Sequence, residues 1–444
     1  MATDQRGASP RTAAPRAAGG PDLPRVPFPV VDEIARHCAD DSEPNTVHIE
    51  IHLPGRVRPD RLREAFAQAL ARHPRVLMRE RRRERHGRPA RRYEWELAGS
   101  PDADVVSFPP REPGALVRAR QRALTDAPSL LAAPPLRLEV IEEPDAEGCV
   151  LLFTVHHTAL DGPACLRIAA TAAELYSGRP APPVPAPARP TGGPTGHPAG
   201  PPPTARPARV APGTPGSAPG NAMLLTELPV PRREPGAPYT VNDQLMVATA
   251  LTVADWNREH GAPARPLRIT MPVDDRTRGP EMPIGNGTRL VEVGFTAAEV
   301  AADADTGALL RATAERTRAL KALGRPQLGH GAALLTAPVL PVAARAALTR
   351  GVRRLAAPWT STTLLSNIGR IPYPLDFGPA GRARAVWFSA PAGMPRGLTF
   401  TTASTGGRLH LVLRWSRTLL ADEDGARLCA IFTDRLAATD AEAL

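Results

Sequence analysis

Residues 149–162 read CVLLFTVHHTALDG, an apolar run that ends in two histidines and then Asp-Gly. The run is rich in β-branched and large apolar side chains and predicts a buried strand. The next segment, PACLRIAATAAELYSG (163–178), has helical periodicity, with Pro163 suited to a first turn and Gly178 to a C-cap. The stretch is therefore a strand–turn–helix corner. Side chains alternate along a strand, so His156 and His157 point to opposite faces and cannot replace one another. Joint metal ligation by the pair is awkward, and no third ligand at zinc-type spacing lies nearby. Asp161 is placed to cap the helix. A histidine at such a corner also sits where small-molecule sites are built, and its imidazole can take a proton from a hydroxyl or amine. No Ser or Cys stands in a GxSxG-type setting. The chemistry expected is direct transfer by general-base catalysis, without a covalent intermediate.

The flanking sequence supplies the rest of a mixed sheet-and-helix lobe. PLRLEVIEE (135–143) and CVLLFTVHH, joined by the polar PDAEG, form a hairpin signal, and TVHIEIHLPG (46–55) alternates like a strand before a Pro-Gly turn. PDRLREAFAQALARH (59–73) puts Leu62, Ala65, Phe66, Ala69 and Leu70 on one helical face. A second half opens at TVNDQLMVATALTVADWNREHG, where Thr240 and Asp243 have capping-box spacing. It continues with strands at 267–273 and 288–295 and a helix near 306–323. Further strands are expected at TTLLSNIG, RARAVWF, LTFTTAS and RLHLVLRW, and a last helix near 422–438. Between the halves, Arg179–Gly220 is dominated by Pro, Ala and Gly, with Val184 and Val210 as its only other aliphatics; it reads as a linker unable to form a core. Residues 1–25 read as a disordered tail. The fold class expected is α/β (α+β) in two lobes, 26–178 and 221–444.

Composition narrows the function. The chain has 444 residues, 42 % apolar, with 55 Lys and Arg against 45 Asp and Glu, a formal charge of +10. Lys321 is its single lysine; abundant Arg, Ala, Pro and Gly point to GC-rich codon bias more than to phosphate contacts. The densest basic run, RERRRERHGRPARR (79–92), has no aromatic on which a base could stack and reads as a solvated surface. Nucleic acid is not an expected partner. Four scattered cysteines suit a reducing cytoplasm, the N-terminus lacks a signal-peptide core, and no apolar run reaches membrane-spanning length. No metal, nucleotide or flavin signature is present, so no bound cofactor is expected.

HHTALDG resembles the HHxxxDG signature of the chloramphenicol-acetyltransferase-like superfamily, which includes peptide-synthetase condensation domains, wax ester synthases and polyketide-associated acyltransferases. Other elements occur in that family's order. ARHPRVLMR (71–79) is similar to its RHxxLR element, TVNDQLMVATA to its VNDxxLAA helix and MPVDDR (271–276) to its PVxxR strand. IGNGTR (284–289) is similar to its Ile-Gly-Asn element, and LLSNIGR (364–370) to its Ser-Asn-x-Gly stretch. LTFTTASTGGRLHLVLRWSR resembles the late hairpin. LDFGPAG (375–381) only echoes the family's DFGWG loop, and no role is carried onto it.

The resemblance implies two lobes forming a V with the active site between them. It implies an acyltransferase moving an acyl group from a CoA thioester, or from a carrier protein's phosphopantetheine arm, to a small-molecule amine or alcohol. His157 is then the general base, with His156, Asp161 and Gly162 structural. Asp161 pairs with an arginine, for which Arg276 and Arg370 are both candidates. Gly162 either keeps the entrance open or serves a turn with positive φ. Ser366 and Asn367 contact substrate or oxyanion, or form a structural turn. Trp387 and Trp415 either line a pocket or belong to the core. A free-standing, monomeric, cytoplasmic enzyme of specialised metabolism is the expectation. The alternative is a catalytically silent condensation-like module that binds a carrier protein or regulatory partner.

Overall fold

A computed structural model of the protein describes residues 23–81, 91–179, 205–216, 218–323, 327–328 and 331–440. Most of the basic run, most of the tail and most of the Pro-rich segment fall outside these residues. The first half comprises β1 (Arg25–Pro27), α1 (Val30–His37), β2 (Thr46–Leu53), α2 (Pro59–Arg72), β3 (Met78–Glu80) and β4 (Glu94–Leu97). It continues through β5 (Val106–Ser107), α3 (Ala115–Thr125), β6 (Leu136–Ile141), β7 (Cys149–His156) and α4 (Gly162–Ser177). The second half comprises β8 (Asn221–Pro229), α5 (Val241–Glu259), β9 (Leu267–Val273), β10 (Arg289–Phe295), α6 (Thr306–Ala322), α7 (Gly331–Leu335) and α8 (Val342–Ala356). It ends with β11 (Thr363–Arg370), β12 (Ala385–Ser389), β13 (Leu398–Thr405), β14 (Arg408–Ser416) and α9 (Asp422–Ala437).

These elements build two lobes. One is a five-stranded sheet in the order β12-β2-β7-β6-β5 with α2 and α4 packed on it; the other is a six-stranded sheet, β10-β9-β11-β13-β14-β8, backed by α5, α6 and α9. A small β1-β4-β3 sheet flanks the first. The periodicity of the sequence carries directly into packing. The face of α2 that is buried is Leu62, Ala65, Phe66, Ala69 and Leu70. Gly178 takes the left-handed C-cap of α4, with φ 71°. At α5 the Thr240 N–H and hydroxyl both donate to Asp243 Oδ2 at 2.8 Å.

The chain is not divided between lobes where composition divides it. RARAVWF forms a strand, but β12 crosses over and pairs antiparallel with β2 of the first sheet. Tyr373, Leu375, Phe377 and Phe388 accordingly bury in the first core. The Pro-rich stretch is also not slack to its end. Ala208, Val210 and Ala211 are buried in the second core. Two side chains of α5 hold them: Trp256 Nε1 donates to Ala211 O at 2.9 Å, and Asn257 takes the Ala211 N–H at 2.7 Å and donates to Arg209 O at 2.9 Å. A segment poor in apolar residues can be ordered when a core helix supplies partners for its backbone. Nor does the tail run to residue 25, because Arg25 pairs with Glu96 across β1 and β4.

Candidate active site

The corner after β7 is built by backbone hydrogen bonds that fix both histidines. His157 N–H donates to Asn45 O at 2.8 Å and His156 N–H to Pro135 O at 3.0 Å, so the chain on either side of β7 holds its end. The rings then diverge in environment. His156 Nδ1 accepts from the Thr158 N–H at 3.2 Å, and burial, with the charges of His157 and Arg36, pushes the imidazole down to about 4. It is a neutral packing residue that organises the turn.

His157 Nδ1 lies 3.1 Å from Leu160 O. A carbonyl only accepts, so Nδ1 carries the hydrogen and Nε2 is left as the basic nitrogen. Burial holds the imidazole below its ordinary pKa, helped by the Arg414 charge and opposed by the Leu160 carbonyl and Asp161. A neutral imidazole with a fixed tautomer and a free Nε2 is the form a general base needs near pH 7.

Asp161 does two things at once. Oδ1 accepts from the Ala164 N–H at 3.0 Å and caps α4. Oδ2 accepts from Arg276 Nη2 at 2.7 Å and from the Gly287 N–H at 2.9 Å, both from the other lobe. Arg276 is itself fully committed. Nε reaches Asp274 Oδ1 at 2.8 Å, and Nη1 donates to Pro283 O and Gly285 O at 3.1 and 3.2 Å. Of the two candidate arginines the structure thus places Arg276 on Asp161. Arg370 is exposed at the end of β11, past the register shift at Asn367–Gly369, and lines a different cavity.

Gly162 corrects the expectation of a positive-φ turn, since its φ is not positive. A Cβ there would stand 2.4 Å from the Phe388 ring of β12. Glycine is required because the crossing strand packs its aromatic ring directly on the start of α4. Ser366 and Asn367 lie together on the wall of a small cavity of about 70 Å³ that also touches Pro163 and Phe388. Asn367 Oδ1 is occupied by the Gly369 N–H at 2.8 Å and the Thr402 hydroxyl at 3.0 Å, which is a turn-forming arrangement. Of the tryptophans, Trp415 is buried in the second core, and Trp387 is half-buried against the His410 ring.

Further residues shape the corner and carried no role in the sequence. Asn286 Nδ2 lies within 3.0 Å of the His157 and Thr158 carbonyls and of Asp32 Oδ1. IGNGTR is thus a latch from the second lobe. Gly287 admits Arg276, whose Nε a Cβ would meet at 2.4 Å. Asp32 of α1 is buried beneath the latch and also accepts from Trp95 Nε1 at 2.8 Å; burial lifts it to about 6. Arg414 of β14 is fully buried, donating to Thr46 O at 2.8 Å and Asn221 Oδ1 at 2.7 Å, and desolvation lowers it to about 9. The sequence signals available were an Asn between two glycines and an arginine, Arg414, between Leu413 and Trp415 of an otherwise apolar strand end.

Two larger cavities lie among the described residues. One of about 620 Å³ runs between α1, α8 and the 391–396 loop to Asn45, whose carbonyl holds His157 N–H. Another of about 580 Å³ is lined by Asn367, Arg370, Tyr373, Val386 and Ser404. Cys165, one turn into α4, is buried and its thiol is pushed well up, so it is no thiolate at neutral pH.

No family model matches the chain. The uncharacterized protein Rv2305 of Mycobacterium tuberculosis is 30 % identical over 432 residues, covering 88 % of this chain and 94 % of its own length. The first condensation domain of the calcium-dependent antibiotic synthetase superposes with TM-score 0.63 at 14 % identity, over 95 % of this chain and 98 % of that one. The condensation domain of the monacolin K polyketide synthase MokA gives 0.61 at 13 %, over 94 % and 97 %. The chain belongs to one family with Rv2305, and its two-lobed fold is that of the condensation domains. A trichothecene 15-O-acetyltransferase from Fusarium sporotrichioides has the same fold, with TM-score 0.61 at 11 % identity over 96 % and 97 %.

Proposed function

We propose that the protein transfers an acyl group from a thioester, carried by CoA or by a carrier protein's phosphopantetheine, to an amine or alcohol. The observation that carries this reading is the state of His157: tautomer fixed by Leu160 O, imidazole neutral, Nε2 unoccupied, seated where the two lobes meet. Nε2 takes the proton of the acceptor N–H or O–H as that atom attacks the thioester carbonyl. The carbon–sulfur bond breaks as the tetrahedral intermediate collapses, and the imidazolium returns the proton to the thiolate. Asp161, paired with Arg276, holds the corner and touches no reacting atom. His156 positions the turn.

The inaccessible thiol of Cys165 favours direct transfer over an acyl-enzyme. Ser366, on the cavity wall, is the side chain available to meet the thioester oxygen, whereas Asn367 is committed to its turn. We place the enzyme in specialised metabolism, acting in the cytoplasm.

The test is acceptor-dependent thiol release from a panel of acyl-CoA and acyl-pantetheine donors, comparing wild type with His157→Ala. Release that needs an acceptor and falls roughly 10²–10⁴-fold in the variant supports the reading. Equal release from both proteins, with carrier-bound donors included, overturns it in favour of a silent module that binds a carrier or regulatory partner.

A further inference from the structure

Five arginines are buried among the described residues, and four of them carry a carboxylate partner. Arg167 meets Glu174 at 2.6 Å, Arg289 meets Asp275 at 2.7 Å, Arg345 meets Glu33 at 2.8 Å, and Arg316 is paired with Glu299. Arg414 is the exception. Its guanidinium, buried where β14 meets the first lobe, touches only neutral acceptors. These are Asn221 Oδ1 at 2.7 Å, Thr46 O at 2.8 Å, and Pro44 O and the Thr46 hydroxyl, each at 3.3 Å. The carboxylate that acts on it, Glu43, stands one amide away: Asn221 Nδ2 donates to Glu43 Oε1 at 3.4 Å, and the Met394 N–H donates to Glu43 Oε2 at 2.8 Å. A buried guanidinium without a contacting counter-ion is destabilising, and an aspartate at 221 would supply one.

Those acceptors bracket one residue. Pro44 and Thr46 flank Asn45, whose carbonyl takes the His157 N–H at 2.8 Å. We propose that Arg414 is a positioning residue for His157, fixing from the second lobe the start of β2 on which the His157 backbone hangs. Its part in the reaction rests on His157 being the base. With residues 44 and 46 both clamped, Asn45 O, the His157 N–H and the ring's own bond to Leu160 O keep their places. The uncompensated charge also opposes protonation of the imidazoles around it. His48 Nε2, 2.8 Å from the Thr46 hydroxyl, belongs to a ring that burial and then Arg414 hold well below its ordinary value. Burial foremost lowers His157, and Arg414 is the charge that acts in the same direction. The other charged or titratable groups about His157 are Asp161, which opposes Arg414 and is itself paired with Arg276; His156 on the same turn; and Asp32 of α1 beneath the Asn286 latch. Asparagine at 221 leaves the Arg414 field standing, where a carboxylate would neutralise it.

The experiment is an NMR titration of the full chain carrying isotope-labelled histidine, with His157 assigned by its absence from His157→Gln. It reads the midpoint and the tautomer without turnover. Wild type is expected to titrate below the ordinary 6.5 with its hydrogen on Nδ1. The double variant Glu43→Gln/Asn221→Asp exchanges carboxylate and amide, keeps the net charge and sets the carboxylate against Arg414 Nε. The His157 midpoint is expected to rise in it by about half a pH unit or more. Arg414→Lys keeps the charge, but an ammonium cannot span the Pro44 and Thr46 carbonyls and Asn221 together. There the midpoint is expected to stay, the tautomer to become mixed, and kcat to fall about tenfold or more with KM little changed. An unmoved midpoint in the exchange variant overturns the proposal, as does a fixed tautomer with unchanged kcat in Arg414→Lys. If Arg414→Lys does not fold, the exchange variant decides alone. A wild type that transfers no acyl group refutes the proposed function, and the His157 midpoint still decides the role of Arg414.

Discussion

Removing the Asp161 carboxylate tests whether the two lobes are locked through one side chain. In Asp161→Ala three interactions go at once. The α4 cap to Ala164 N–H is lost, at about 1 kcal/mol. The Gly287 N–H loses its acceptor, at about 1–3 kcal/mol if water cannot reach it. The buried ion pair to Arg276 is broken, an event that costs about 3–5 kcal/mol when the partner charge is stranded. Here it is not stranded. Arg276 keeps Asp274 at 2.8 Å and two carbonyls, so the ion-pair cost falls toward the bottom of its range. The expected total is about 5–7 kcal/mol, a large share of the ordinary 5–15 kcal/mol of a folded domain. Urea unfolding followed by tryptophan fluorescence measures it. A double-mutant cycle with Arg276→Ala isolates the pair, with an expected coupling of about 1–3 kcal/mol. A loss below about 1 kcal/mol for Asp161→Ala, or no coupling in the cycle, refutes the latch.

Gly162→Ala drives a Cβ into the Phe388 ring and costs about 1–3 kcal/mol; Phe388→Leu in the same chain recovers most of it, measured by thermal unfolding. Because burial lowers His157 and the neutral imidazole is the active form, the acid limb of kcat/KM lies below pH 6.5, with full activity retained above it; a limb at or above 6.5 contradicts the burial argument. His157→Gln loses roughly 10²–10⁴-fold in kcat with little change in thermal midpoint, since the ring's hydrogen bond is the local one to Leu160 O. Asp32 binds its proton more tightly folded than unfolded, so its contribution is complete below about 4 and is lost as pH rises through about 6. The difference approaches about 3 kcal/mol, and the pH dependence of unfolding should flatten by that order in Asp32→Asn.

Much of the fold is local in origin and was legible as such. The buried face of α2, the Gly178 cap, the Thr240–Asp243 pairing and the hairpin of β6 and β7 depend on residues close together in the chain. Spacing therefore reveals them. The histidine corner belongs to the same class: a strand that ends, a carbonyl three residues on to set the tautomer of His157, and an aspartate to start the next helix.

Contacts across hundreds of residues have no such signature. That Arg276 meets Asp161 while Arg370 stands exposed depends on where β9 and β11 end relative to the other lobe. Phe388 dictates glycine at 162 because β12 leaves its own half of the chain to complete the other sheet. Val210 and Ala211 are ordered because Trp256 and Asn257 sit opposite their backbone. By itself the sequence determined the elements, the corner and the histidine whose ring could act there. Only the tertiary structure decided which charges close over that corner, because burial and pairing energies depend on who arrives from the other lobe.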